Sequence, residues 1–414
     1  MLVLEYKAVI DTNEQRDAIE EAIRTTQFIR NKAIRFWMDS PRDAKINKNA
    51  LNNYSTTLRK EYSFVEELNS MACQSATERA WAAISRFYDN CKKGVPGKKG
   101  FPQFQKDNRS VEYKTSGWSL HPTKRRITFT DKKGIGEVKL LGKWDIHTYP
   151  AKSIKRVRLV RRADGFYVQF CVDAESTKEP RTGDGEIGLD VGLEFFYSDS
   201  NGHHEENPRF LRKAEKAIKH AQRRIFKKKK GSANRRKARQ KYAQKHLKVS
   251  RQREEQAKRL ARNVCKANAL VAYEDLIVKN MVKNHCLAKA IHDASWSVFR
   301  QWIEYFAVKF DSKAVAVAPH YTSQNCSSCG AVVKKSLSTR THKCSCGCEL
   351  QRDVNAAKNI LSLALQGTGG HLETNATGVG TSTLVGETLL EQVLTVNVES
   401  PPDNVVGWGV SSRD

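Results

Sequence analysis

Apolar and polar residues alternate at the start of the chain, so residues 2–10 read as a strand. Thr12-x-x-Gln15 follows with the spacing of a helix capping box. Ala22, Thr26, Ile29, Ala33 and Trp37 then recur at steps of three or four, which places them on one helical face. A second helical stretch covers about residues 71–88. Pro96 and three glycines between Lys92 and Gly100 close this helical unit. From Phe101 to about Asp173 the texture changes to short strands, at 111–114, 126–130, 137–140, 156–161 and 165–173. The last two flank Asp164-Gly165, a hairpin signal. The pattern predicts a small barrel or sheet completed by the N-terminal strand, with the helical unit inserted. Residues 176–185 read as a polar linker.

The second half has a different rhythm. Residues 186–191 alternate around Asp190, and Asn201-Gly202 marks the turn of a hairpin. Long basic helices come next, broken near Gly231-Ser232. An apolar strand, 269–273, ends at Glu274. A helix at 294–310 precedes an apolar strand at 314–318, and a last helix runs from Asp353 to about Leu365. Strand hairpin, helix, strand, helix, strand, helix is the order of an RNase H-like α/β layer. Residues 367–414 turn to Gly, Thr, Ser and Val, with six acids against Arg413 alone, and are expected to be mostly disordered.

At 414 residues the chain is long enough for several domains, and a hydrophobic fraction of 39% with mean hydropathy −0.61 fits a soluble protein. No apolar run approaches the roughly 18 residues of a membrane helix. Glu5 and Lys7 bring charge too early for a secretory leader, so the expected location is cytosolic. The net charge of +27 is unevenly placed: Arg209 to Arg262 hold 23 Lys and Arg against Glu215, Glu254 and Glu255, a net of +20. A charge run is often a solvated helical face. At this density self-repulsion is costly without a polyanion, so a nucleic-acid partner is expected, with salt-sensitive binding. Arg223, Arg224, Lys227, Lys228, Lys229, Lys230, Arg235 and Arg236 are the candidate contacts.

Five of ten cysteines fall between Cys326 and Cys348. Cys73, Cys91, Cys171, Cys265 and Cys286 are scattered through apolar or helical sequence and read as buried thiols. Two close pairs joined by a short basic loop make a tetrahedral thiolate site suited to zinc. Cys326 and Cys329 form one pair. Cys344-Ser-Cys346 is one residue tighter than the usual spacer, so Cys348 or His342 can substitute; Cys344 and Cys346 are favoured, with Cys348 spare.

Three acids stand where an α/β sheet can gather them. Asp190 lies mid-strand in Ile187-Gly-Leu-Asp-Val-Gly192, with Gly188 and Gly192 on its face leaving room for a phosphate backbone. Glu274 ends an apolar strand, with Leu270 and Ala272 on its side, and Asp353 opens the last helix. Singly, Asp353 reads equally as a helix cap and Glu274 as a solvent-facing strand end. Together they fit what two-metal phosphodiester hydrolysis needs, carboxylates able to hold two Mg²⁺, and that role is the expectation.

Gly188-Leu-Asp190-Val-Gly192, Tyr273-Glu274-Asp275-Leu276, Thr322-Ser-Gln-Asn-Cys326-Ser-Ser-Cys329-Gly330 and Arg352-Asp353-Val-Asn355-Ala-Ala resemble the signatures of TnpB, the insertion-sequence RNA-guided nucleases considered ancestral to type V CRISPR effectors. Gly100-Phe-Pro-Gln-Phe104, Val111-Glu-Tyr113-Lys and Gly117-Trp118 resemble that family's barrel, and the likeness spans about residues 1–365. The resemblance implies a multidomain α+β protein. Residues 1–10 and 101–180 would form a wedge-like β-barrel and 11–100 an inserted helical recognition domain. Residues 181–319 and 350–366 would form a RuvC-like nuclease domain, with a zinc insertion at 320–349. It implies Asp190, Glu274 and Asp353 as a magnesium-binding catalytic triad, and a prokaryotic, nucleoid-associated setting. Guide RNA and double-stranded target DNA are the implied partners, with base pairing reading sequence and the protein reading a short adjacent motif. A monomer is the expected state. The rival readings are a guided DNA-binding repressor that does not cut and a transposase acting without RNA.

Overall fold

The computed structural model describes residues 2–95, 97–174, 178–336 and 339–368; the expected tail lies outside them from residue 369 onward. The protein is a mixed helix-and-sheet molecule of two compact units that divide after residue 175.

In the first unit β1 (Leu2–Val9) leads into α1 (Asn13–Asp39), α2 (Lys48–Glu61), α3 (Ser63–Glu66) and α4 (Ser70–Lys92). The capping box forms: Thr12 Oγ1 accepts from Gln15 N at 3.1 Å, while Gln15 Oε1 reaches back to Asp11 N at 3.2 Å. Six strands follow, β2 (Ser110–Tyr113), β3 (Trp118–Leu120), β4 (Arg126–Phe129), β5 (Gly136–Leu141), β6 (Ile154–Arg162) and β7 (Gly165–Val172). They join β1 in one curled antiparallel sheet of order β2-β6-β7-β1-β5-β4-β3, with β2 and β3 as its edges. β1 is therefore central, hydrogen-bonded to β7 on one side and β5 on the other. One core joins this sheet to the helices through Tyr6, Phe170, Val111, Ile23 and Ala76. A buried Glu112 on β2 sits at that junction, bonded to Ser75 Oγ (2.6 Å), Arg156 (2.8 Å) and Arg158. Burial alone would raise its carboxyl, but Arg79, Arg158 and Arg156 outweigh burial and hold it well below the ordinary range.

The second unit begins with β8 (Gly185–Val191), β9 (Phe195–Asp199) and β10 (His204–Glu206), followed by α5 (Phe210–Phe226), α6 (Ala233–Ala267) and β11 (Asn268–Glu274). Next come α7 (Val278–Met281), α8 (His285–Ala294), α9 (Trp296–Phe310) and β12 (Lys313–Val317). A small hairpin, β13 (Thr341–Lys343) and β14 (Glu349–Gln351), leads into α10 (Arg352–Thr368). The sheet order is β10-β9-β8-β11-β12, antiparallel from β10 to β8 and parallel across β8, β11 and β12. Both faces are covered, as a parallel sheet requires. On one face Ile187, Leu189, Val271 and Tyr273 pack against Ala257 and Ala261 of α6 and Phe299 and Phe306 of α9. On the other, Leu270 and Ala272 pack against Ile360 and Ala364 of α10.

Candidate active site and metal centre

Strand register brings the first two acids together. Leu189 on β8 pairs with Tyr273 on β11, so Asp190 and Glu274 are each the next residue on neighbouring parallel strands. Such strands lie about 4.8 Å apart, and residues in step share a face. That face is the α10 side, because Gly188 and Asp190 alternate with Ile187 and Leu189, which pack on the opposite side.

α10 supplies the third acid through its close seat on β8. A Cβ placed at Gly188 would fall 2.1 Å from the carbonyl oxygen of Ala357 and 2.9 Å from Leu361 N, so only glycine admits the helix backbone there. The expectation that Gly188 opens space for a phosphate backbone is corrected: helix backbone fills that space. Gly192 lies past the end of β8, with the Phe195 carbonyl 3.1 Å from where its Cβ would be. Asp353 stands one helical turn before Ala357, at the end of α10 nearest Asp190.

The helix-cap reading of Asp353 also gives way. Gln351 Oε1 accepts from both Asp353 N (2.7 Å) and Val354 N (2.9 Å), so a neutral amide satisfies the first turn. The Asp353 carboxylate is left to accept from Arg352 Nε at 3.1 Å and Gln351 Nε2 at 3.4 Å. Glu274 accepts from the hydroxyl of buried Thr322.

Electrostatics mark the three acids as one group. Asp190 keeps some exposed surface yet sits deep among protein atoms. Burial pushes its carboxyl well above the ordinary 3.8; the charges of Glu274 and Asp353 push it further, against the pull of Arg352. Burial also raises Glu274, with the Thr322 hydroxyl opposing. Buried acids without a matching cation are costly, and a divalent ion removes that cost. The donor set is all carboxylate oxygen, the chemistry that magnesium prefers. Among the described residues the three do not form a tight single-ion cluster, since the sets whose ligand atoms all lie within 4.8 Å of one another are made of cysteines and one histidine.

The larger cysteine set is Cys326, Cys329, Cys344 and Cys346. Its sulfurs stand 3.6 Å apart in the pairs Cys326–Cys346 and Cys329–Cys344. Four thiolates at a zinc–sulfur length of 2.3 Å in a tetrahedron lie about 3.8 Å apart, so this set could hold zinc. Cys348 falls outside it, in a second group with Cys326 and fully buried His342. In that histidine Nδ1 meets Lys335 Nζ, whereas Nε2 has no hydrogen-bond partner. Of the scattered cysteines, Cys73, Cys171 and Cys265 are buried, but Cys91 and Cys286 are exposed, contrary to expectation, because helical position alone does not fix which way a thiol faces.

The basic segment is a helical hairpin. α5 buries Ile218, Ala221 and Ile225; Gly231 turns the chain at φ +79°, and Ser232 Oγ caps α6 by accepting from Arg235 N at 3.1 Å. Arg223, Arg224, Lys227, Lys228, Lys229, Lys230 and Arg236 are exposed around this turn. Arg235 is only half-exposed. Its Nη1 donates to the carbonyls of Ile225 (3.2 Å) and Lys228 (3.1 Å), and its guanidinium lies 6.0 Å from the Phe226 ring, so it staples the turn. No helix among the described residues is long and apolar enough to cross a membrane.

Sequence reasoning gave Thr322, Gln351 and Asn359 no role of their own. Asn355 and Asn359 sit four apart on α10 and both donate to Asn325 O at 2.8 Å. Two amides at helical spacing beside the apolar run Val354-x-Ala356-Ala357 were the available signal.

Two family models match the chain: one described as "Probable transposase" over residues 169–285, and the Cas12f1-like TNB domain over residues 296–360. A Streptomyces pristinaespiralis protein named "Putative RNA-guided DNA endonuclease" is 29% identical over 366 residues, 86% of this chain and 87% of its own. TnpB-like protein L79 of Acanthamoeba polyphaga mimivirus is 33% identical over 88 residues, 21% of this chain and 17% of its own. A Cas12f1 chain solved with sgRNA and target DNA aligns over 84% of this chain and 81% of its own, at 14% identity and a TM-score of 0.49. The segments matched by the two family models carry the motifs in which Asp190, Glu274 and the cysteines stand, and the chain is similar to proteins named RNA-guided DNA endonuclease and TnpB-like.

Proposed function

We propose that this protein is an RNA-guided DNA endonuclease, with Asp190, Glu274 and Asp353 as a magnesium-binding catalytic triad in a RuvC-like, RNase H-type layer. The reading rests chiefly on three carboxylates from β8, β11 and α10 meeting on one sheet face, with Asp190 raised by burial and then by Glu274 and Asp353. The relative named an RNA-guided DNA endonuclease supports it over most of the chain's length. Two Mg²⁺ bound there would activate water and steady the leaving oxygen. The chain's own residues hold the acids in place: Gly188 admits α10, Gln351 frees Asp353 from capping, and Thr322 fixes Glu274. Zinc on Cys326, Cys329, Cys344 and Cys346 would fix the loop that carries Thr322. The exposed lysines and arginines of the α5–α6 hairpin would grip the phosphates of a guide RNA and its paired DNA strand. The first unit supplies the wedge and recognition parts, with the protein acting in the prokaryotic cytoplasm as a monomer.

The test is purification at moderate salt, sequencing of the bound RNA, and challenge with a plasmid carrying the matched sequence. Cutting by the wild type that is lost in Asp190→Ala is the expected result. Binding without cutting would leave a guided repressor. Activity of RNA-free protein on the element's own ends would leave a transposase.

A further inference from the structure

Six residues, Thr322 to Ser327, touch three things at once. The Thr322 hydroxyl donates to Glu274 Oε1. The Thr322 and Asn325 carbonyls both accept from Asn359 Nδ2 of α10 at 2.8 Å. Fully buried Asn355, two residues after Asp353, donates to Asn325 O at 2.8 Å and accepts from Ser327 N at 2.9 Å. Cys326 lies inside this run, with its side chain buried. The root of the thiolate knuckle is thus bonded to the strand carrying one acid and to the helix carrying another.

We infer that Thr322 is a positioning residue through which the cysteine-bound metal sets the geometry of the carboxylate site. The inference rests on the magnesium reading given above. A carboxylate at a strand end has several rotamers, and a buried hydroxyl whose own backbone is pinned to α10 selects one. Thr322 cannot hold that place unless the run 322–327 is ordered, and of the four sulfurs that would order it one lies inside the run, at Cys326, and a second two residues beyond it, at Cys329. Zinc occupancy and divalent affinity at the acids are then linked, and by reciprocity each ion strengthens retention of the other.

The experiment measures Mn²⁺ binding to the intact RNA-bound protein by electron paramagnetic resonance, beside the Mg²⁺ concentration for half-maximal cutting. Thr322→Val should weaken Mn²⁺ binding about tenfold and raise the Mg²⁺ requirement in step, with maximal cutting rate at saturating Mg²⁺ changed less. Thr322→Ser, which keeps the hydroxyl, should restore both. Stripping zinc should weaken Mn²⁺ binding in the wild type but add little in Thr322→Val, since the link is already cut. Wild-type Mn²⁺ affinity in Thr322→Val, or equal zinc dependence in both proteins, overturns the inference. Asp190→Ala and Glu274→Gln run alongside: unchanged Mn²⁺ binding in those would sink the magnesium reading itself, a separate outcome.

Discussion

The carbonyl of Ala357 occupies the space that any side chain at Gly188 would need, 2.1 Å from the position of its Cβ. The contact is backbone against backbone, so no rotamer change can relieve a clash. Gly188→Ala should displace α10 from β8 and carry Asp353 away from Asp190. Overpacking of this kind costs about 1–3 kcal/mol. Calorimetry should show that loss, and cutting should fall far more steeply than stability. A variant that melts and cuts like the wild type would refute the account of how the third acid is delivered.

Asp190 gives a pH signature whose sign is fixed. Its carboxyl is raised above the ordinary 3.8 by burial and then by Glu274 and Asp353, so the folded protein holds its proton more tightly than the unfolded chain. Stability from this group is full below about the ordinary value and is lost as pH rises through the raised one. Without divalent cations, melting temperature should therefore fall as pH climbs from acid toward neutrality. Mg²⁺ should reverse the fall, and Asp190→Asn should flatten it while abolishing cutting. A metal-free melting curve indifferent to Asp190→Asn at neutral pH counts against the clustered acids.

The knuckle should hold one zinc per chain, measured by mass spectrometry. Cys346→Ser should lose it and Cys348→Ser should keep it, because Cys348 lies outside the four-sulfur set. A structural zinc contributes roughly 10–16 kcal/mol to folding its own loop, so chelation should expose 322–351 to protease. Equal zinc loss in both serine variants would move the fourth ligand.

For the basic hairpin, replacing Lys227, Lys228, Lys229 and Lys230 with Gln should lower the slope of log affinity against log salt by about 0.7–0.9 per lost phosphate contact. Arg235→Gln should behave differently. It removes two bonds to carbonyls of the turn, so it should cost about 1 kcal/mol of stability and leave the slope nearly unchanged. Salt titrations of RNA binding distinguish the two effects.

Much of this fold was legible in residue order. The strands at 111–114, 126–130 and 165–173 fall within a residue or so of β2, β4 and β7, since alternating side chains on a half-buried sheet leave a period of two. α2 went unnoticed because its apolar face is only Leu51, Tyr54 and Leu58, set among Asn, Ser, Thr and Lys. The helix read at 294–310 is α9, which starts at Trp296; α8 before it carries no expectation, and Ser295 at φ +56° separates the two where no glycine or proline marks a break. At the site, acids at the ends of apolar runs were visible as single residues. Invisible were Gly188's helix contact, Gln351's cap and the Asn355–Asn359 clamp, since each depends on which elements meet.

The neutral cap at Gln351 bears on how three acids endure before any cation arrives. A helix start carries a partial positive charge of about half a proton, and an aspartate cap would have spent it. With an amide in that role, α10 turns its unspent positive pole, joined by Arg352, toward Asp190 and Asp353. The fold thereby carries its own placeholder for the ion, weak enough for a true divalent to displace.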